Sequence, residues 1–362
     1  MYVRVGERRG QEPGRSFLGD LNQDRAPALP FPAKFADPLT FNQSTFNRPI
    51  DSAFQKALNA AAVDPRFRGL PSVRDLSIDI VSLEPSGANV VTGQNDDDMH
   101  YSGSLLKVAA MYAAFQLHKA VNDFGRSLGE FKKAFDVRIA SAVARIPLSL
   151  RTPPRYDEIF TPAREFRTDF AGHVRSMIVY SSEDSAGIII KALGYSWING
   201  VLQSAGFFKD PRGIWLAGNY KPNFPVVTVP SVNDGPVKQA TTCIDMARLF
   251  VLLQRDQLVK DAANSRMKEL LKDGFSYLKT RGDLPVIASK IGRGQLKKGP
   301  GGRPGDCRDA GKGCVLSEAS VIRHRSGRLF VTVWQNVLLE SDAHLGVKRV
   351  AAIIQKTMDG SV

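Results

Sequence analysis

No apolar run in this 362-residue chain approaches the roughly 18 residues that read as a membrane span. Zinc-finger spacing and blocks of basic residues are also missing, which removes the usual marks of a nucleic-acid reader. Cysteine is scarce, at three residues. Cys307 and Cys314 lie close together in a glycine-rich stretch and could form a small disulfide, a bond favoured in oxidising compartments. Cys243, in an apolar helical stretch, reads as a buried thiol. No histidine stands at ligand spacing from the pair, so no metal is expected. The start, Met1 to Gly10, carries charges with no apolar segment behind them, and is not a secretory leader as written. A periplasmic or secreted location is expected if a leader is missing from this start, and a cytoplasmic one otherwise.

What the chain does have is apolar residues enough for a sizeable core, at 43%, and an excess of positive charge, +13. A basic surface favours anionic partners. Residues 1–48 are polar and proline-rich and read as an extended arm. A helix follows over 51–63, with Asp51 as its N-cap. From Arg74 to Leu83 apolar and polar residues alternate, as in a strand with one covered face, and Ala88 to Thr92 completes a hairpin. Helical patterns then dominate to about Lys279, interrupted by a long proline-rich loop from Phe208 to Gln239. Strands return at Val286–Gly292, Ala319–His324 and Arg328–Asn336, before a closing helix over 344–358. Strands at both ends with helices between them predict an α+β fold: one antiparallel sheet flanked by terminal helices, with an all-helical lobe inserted. The expected division is an α/β lobe over 49–95 and 276–362, and a helical lobe over 96–275.

Three short patterns carry chemistry. Ser104 and Lys107 form S-x-x-K at the head of an apolar helix, so the two side chains share a face. A serine hydroxyl needs a neighbouring base to become nucleophilic, and a lysine in apolar surroundings has a lowered pKa. Ser182-Glu183-Asp184 follows at a turn between helices. Lys290-Ile291-Gly292 lies on a strand before a hairpin and the closing helix.

In order and in element type these patterns resemble the three motifs of the serine β-lactamase and penicillin-binding-protein superfamily, most nearly the class A β-lactamases, over residues 50–362. The resemblance implies Ser104 as acylated nucleophile, Lys107 as its proton acceptor, Ser182 as proton relay to the leaving nitrogen and Lys290 as the relay's electrostatic support. It implies Asp184 as a contact to Lys107 and substrate. Gly292, Arg293 and Arg323 would bind substrate, with the N–H groups of Ser104 and Arg293 as oxyanion hole. The substrate would be a β-lactam or a peptidoglycan-like peptide, with no cofactor and no nucleic acid; the oligomeric state stays open.

The departures from the family pattern are specific. The second motif is S-E-D, and Ser181 could stand in the register of Ser182. Ile291 replaces a hydroxyl residue. No glutamate occurs between Glu183 and Glu269, where class A enzymes carry their deacylation base, and Asp210 is the nearest candidate. The expected function is therefore a serine hydrolase with slow deacylation. The alternatives are a penicillin-binding-like peptidase, transpeptidase or esterase, or a binding protein that keeps the fold without turnover.

Overall fold

The computed structural model describes residues 27–39, 49–218, 226–259, 262–297, 314–339 and 344–362. Its first helix, α1, is Pro49–Val63; it starts before Asp51, which lies in the first turn rather than at the cap. Strands β1 (Ser77–Leu83) and β2 (Asn89–Gln94) form the expected hairpin. The helical segment holds α2 (Lys107–Asp123), α3 (Leu128–Ser141), α4 (Tyr156–Ile159), α5 (Thr168–Val179), α6 (Glu183–Leu193) and α7 (Tyr195–Ala205). The proline-rich loop is not featureless. It folds into three short ribbons, pairing β3 (Phe208–Lys209) with β4 (Arg212–Gly213), β5 (Trp215–Leu216) with β8 (Gln239–Ala240), and β6 (Val229–Ser231) with β7 (Gly235–Val237). Helices α8 (Cys243–Gln254), α9 (Ala262–Lys272) and α10 (Tyr277–Gly282) lead to β9 (Val286–Gln295), β10 (Cys314–Arg323), β11 (Leu329–Leu339) and α11 (Leu345–Asp359).

The five long strands form one antiparallel sheet in the order β2-β1-β11-β10-β9. The first strand of the chain pairs with the last, Ser77 opposite Gln335 and Leu83 opposite Leu329. Period-two alternation sends Ile78, Ile80, Phe330 and Trp334 into a core beneath α1, α10 and α11. Val81, Val331, Val333 and Ala319 join the larger core of the helical lobe. The expectation of a strand covered on one face is corrected here: every residue of β1 is buried, because α8, about 160 residues further on, covers the face that carries Ser77 and Asp79. Thr242 caps α8 by accepting from the Asp245 N–H at 3.2 Å.

The described part of the N-terminal arm is strapped over the helical lobe. Phe31 packs on Trp197 with ring centroids 5.3 Å apart, and the Phe35 N–H donates to Ala205 O at 3.2 Å. Cys314 is disulfide-bonded and Cys243 is a buried free thiol; Cys307 lies outside the described residues. No helix among the described residues is long and apolar enough to cross a membrane.

Asp79 is fully buried on β1, and neither of its carboxylate oxygens has a hydrogen-bond partner among the described residues. Burial, reinforced by the charge of Asp96, pushes its pKa well above the usual carboxylate range. The folded chain therefore holds a proton that the unfolded chain releases, and stability falls as pH rises through that window. Asp79→Asn is expected to raise stability by about 1–3 kcal/mol at pH 7–8. The gain should shrink towards the unfolded pKa near 3.9. Urea melts across pH check this, and a loss of stability at neutral pH would contradict it.

Candidate active site

Residues 103–106 form a single 3-10 turn, and α2 begins at Lys107. Ser104 thus stands in the entry turn, and Lys107 is the first α-helical residue. From Lys107 to Leu117 this helix is buried without a break, so the lysine stem is held in apolar packing and only its amine reaches polar groups. Burial pushes the Lys107 pKa down, and the charge of Glu183 opposes that shift.

Strand β9 lies backbone to backbone against the same turn. A Cβ on Gly292 would sit 1.9 Å from Ser102 O, and one on Gly103 would sit 2.5 Å from Arg293 O. Gly103 also has φ +54°, a region that glycine enters freely. Two glycines therefore allow the contact, which Ser317 Oγ reinforces by donating to Ser102 O at 2.8 Å. Gly292 serves close approach, and the main chain of Arg293 runs beside the Ser104 turn. The Arg293 side chain is exposed on the cleft wall.

The second motif settles in a register that capping physics explains. Ser182 is the N-cap of α6, its Oγ accepting from the Ser185 N–H at 3.2 Å. Ser181 adopts φ +55°, an uncommon conformation for a non-glycine residue. That turn aims its groups inward. Lys107 Nζ donates to Ser181 O at 2.6 Å, and Lys290 Nζ donates to Ser181 Oγ at 2.8 Å. The residue that meets Lys107 is Glu183. Its Oε1 accepts from Lys107 Nζ at 2.7 Å and from the Ser104 hydroxyl at 2.9 Å. Asp184 is exposed in the first turn of α6 and does not line the cleft.

Lys290, on β9, is fully buried, and its Nζ also donates to Ile291 O at 3.0 Å. Burial first, then the nearby Lys107 charge, pushes its pKa down to about 7, against the pull of Glu183. The cleft around these groups encloses about 610 Å³ and is lined by Tyr101, Gly103, Ser104, Ser181, Glu183, Lys238, Gln239, Tyr277, Ile291, Arg293, Gly294 and Gln295. Tyr277 is set on its wall by Glu318, whose Oε2 accepts from the Tyr277 N–H at 2.9 Å. Gln239 Nε2 donates to Gly103 O at 3.0 Å and ties the opposite wall to the Ser104 turn.

Ser104, Lys107, Lys290, Gly292 and Arg293 are thus brought together. Four expected residues are placed elsewhere. Ser182 caps a helix, and Asp184 faces outward. Arg323 ends β10 opposite Leu329, seven residues along the strand from Leu316, the partner of Arg293; at about 3.3 Å per residue that is over 20 Å away. Asp210 sits at the tip of the β3–β4 ribbon, pairs with Arg145, and lines a separate depression with Lys34 and Arg248. Glu183, Lys238, Gln239 and Tyr277 went unassigned from sequence. Glu183 had a signal: Ser181-x-Glu183 has the same spacing as the family's S-x-N. Among the described residues no His, Cys, Asp and Glu grouping could hold a metal ion.

A buried S-x-x-K helix, a serine at an interhelical turn and a lysine on the facing strand place the fold in the serine β-lactamase and penicillin-binding-protein superfamily. Residues 166–357, more than half of the chain, match the profile of the beta-lactamase enzyme family, and the chain belongs to that family. The matched segment begins after Ser104 and Lys107. Among solved structures, TLA-3 extended-spectrum β-lactamase aligns with a TM-score of 0.54 at 14% identity, over 85% of this chain and 98% of its own. A β-lactamase from Sphaerobacter thermophilus aligns at 0.50 and 17%, over 86% and 97%. A point mutant of PBP-A, solved as its acyl-enzyme complex with penicillin G, aligns at 0.50 and 16%, over 87% and 98%. At these identities the likeness concerns the fold. No protein of curated function matches the sequence.

Proposed function

We propose that this chain is a serine acyl-enzyme catalyst of the class A β-lactamase type that opens β-lactams or related amides and esters and releases the acyl group slowly. The observation that carries the reading is the convergence of five polar side chains at one turn: Ser104, Lys107, Ser181, Glu183 and Lys290 are joined by contacts of 2.7–2.9 Å along the path from Ser104 through Glu183 to Lys107 and from Lys290 to Ser181. Ser104 attacks the acyl carbon. The N–H groups of Ser104 and Arg293 face the oxygen that gains charge. Ser181 hands its hydroxyl proton to the leaving nitrogen, with Lys290 beside it as donor. Arg293 and Lys238, both on the cleft wall, attract a substrate carboxylate and replace the hydroxyl that Ile291 lacks.

Slow release follows from the cleft's composition. Glu183 is the single carboxylate among its lining residues, and in the acyl-enzyme, where Ser104 has no hydroxyl left to donate, Lys107 still engages it. Asp210 is turned away with Arg145. A hydrolytic water therefore lacks a second, dedicated base. The same composition supports a penicillin-binding-like peptidase or esterase, in which an amine or a slow water completes the cycle. A fluorescent penicillin followed over time tests the proposal. The expected result is a covalent adduct that persists for minutes to hours. Release within a second identifies an efficient hydrolase instead, and the absence of any adduct overturns the acyl-enzyme reading.

A further inference from the structure

The Ser104 hydroxyl has one strong acceptor in hand, and it is not an amine. Its hydrogen bond goes to Glu183 Oε1 at 2.9 Å. Lys107 donates to Ser181 O at 2.6 Å and to the same Glu183 oxygen at 2.7 Å. In both of these bonds the amine is the donor, while the Ser104 hydroxyl gives its own hydrogen to the carboxylate. Glu183 opens α6, an eleven-residue helix whose N-terminal end favours a negative charge there. Its side chain is 56% exposed, so one flank is solvated while the other faces the nucleophile.

We infer that Glu183, not Lys107, is the general base that deprotonates Ser104 during acylation. The inference rests on the acyl-enzyme reading above and assigns the proton path within it. The Ser104 Oγ–H bond breaks, its proton passes to Glu183 Oε1, and Oγ bonds to the acyl carbon. The acyl C–N bond then breaks, and its nitrogen takes the hydroxyl proton of Ser181. Lys107, 3.5 Å from Ser181 Oγ, resupplies Ser181 and is itself resupplied by Glu183. One proton has moved from Ser104 to the leaving nitrogen, and every other group ends as it began. In this path Lys107 holds the carboxylate in place and passes the proton on, and Glu183 performs the first transfer.

The test measures the rate of adduct formation with a fluorescent penicillin, against pH, for the full-length wild type, Glu183→Gln, Glu183→Asp and Ser104→Ala. Glutamine keeps the size and can still accept hydrogen bonds from Ser104 and Lys107, but it cannot take up a proton at neutral pH. The expected result is a loss of about 10²–10⁴-fold in Glu183→Gln, in line with removal of a general base, together with disappearance of the acid limb of the pH profile. Glu183→Asp should keep that limb at a reduced rate. A Glu183→Gln rate within threefold of wild type, with the acid limb intact, overturns the assignment and returns the base to Lys107. Labelling of Ser104→Ala at the wild-type rate, or no labelling of the wild type, overturns the acyl-enzyme reading itself, and the role of Glu183 falls with it.

Discussion

Ser181→Ala is expected to slow formation of the penicillin adduct by about 10²–10³-fold, in the range of a lost general-acid relay, whereas Ser182→Ala leaves it within about threefold. The two serines are adjacent and chemically identical, so the contrast isolates geometry. Ser181 Oγ accepts from Lys290 Nζ at 2.8 Å and lies 3.5 Å from Lys107 Nζ. Ser182 Oγ faces its own helix and accepts from the Ser185 N–H. Replacing Ser182 removes an N-cap, which costs about 1 kcal/mol of stability and appears in a melting curve rather than in acylation. Stopped-flow labelling together with thermal melts of both variants separates the two effects. The opposite pattern, a silent Ser181→Ala and an inactive Ser182→Ala, would put the relay in the other register.

Lys290→Met is expected to move activity and stability in opposite directions. The wild-type amine is buried on β9 with its pKa pushed down to about 7. Between that value and the unfolded lysine value near 10.4, the unfolded chain binds a proton that the folded chain has released, so wild-type stability rises with pH across this window. At pH 6–7 the folded protein carries nearly the whole cost of burying the charge. An unbranched apolar side chain of similar length removes that cost, and Lys290→Met should be more stable by roughly 1–3 kcal/mol there. The gain should close as pH approaches 10. Acylation should fall by about 10²–10⁴-fold, because Ser181 loses the donor that supports its proton transfer. Deprotonation leaves the amine able to donate to Ser181 but removes its positive charge, so wild-type acylation should decline as pH rises above about 7. Urea melts and labelling rates over pH 6–10 check both halves. A destabilised but active Lys290→Met would show that the lysine serves packing and not chemistry.

The overall architecture was legible because its signals are local. Alternating strands at both ends and apolar helical periodicity between them imply a sheet closed from the two termini, and β1 does pair with β11. Two-sided burial of β1 was not legible, since the helix that covers Ser77 and Asp79 arrives far along the chain. The proline-rich loop hid its ribbons because each strand in it is only two or three residues long, too short for any period to register. In the site, Ser104, Lys107 and Lys290 stand in short motifs that each lie within one element, and it is the order of those motifs and the resemblance it carries that single them out. The Ser181–Ser182 ambiguity is intrinsic to two identical neighbours. Capping logic would have resolved it: the serine that directly precedes the acidic first turn of α6 is the cap, which frees the one before it. Asp210 and Arg323 were misplaced for a common reason. Nearness to a motif in sequence says nothing about which way a ribbon tip or an antiparallel strand end points. Ile291 does line the cleft where a hydroxyl residue is expected, and that Lys238 shares its wall with Arg293 is visible only in three dimensions.

The most direct test of the whole account is intact-mass spectrometry with peptide mapping after incubation with benzylpenicillin, in wild type and Ser104→Ala. One adduct of penicillin mass is expected, on the peptide that contains Ser104, and none in the variant. An unmodified wild type, or an adduct that persists in Ser104→Ala, would contradict it.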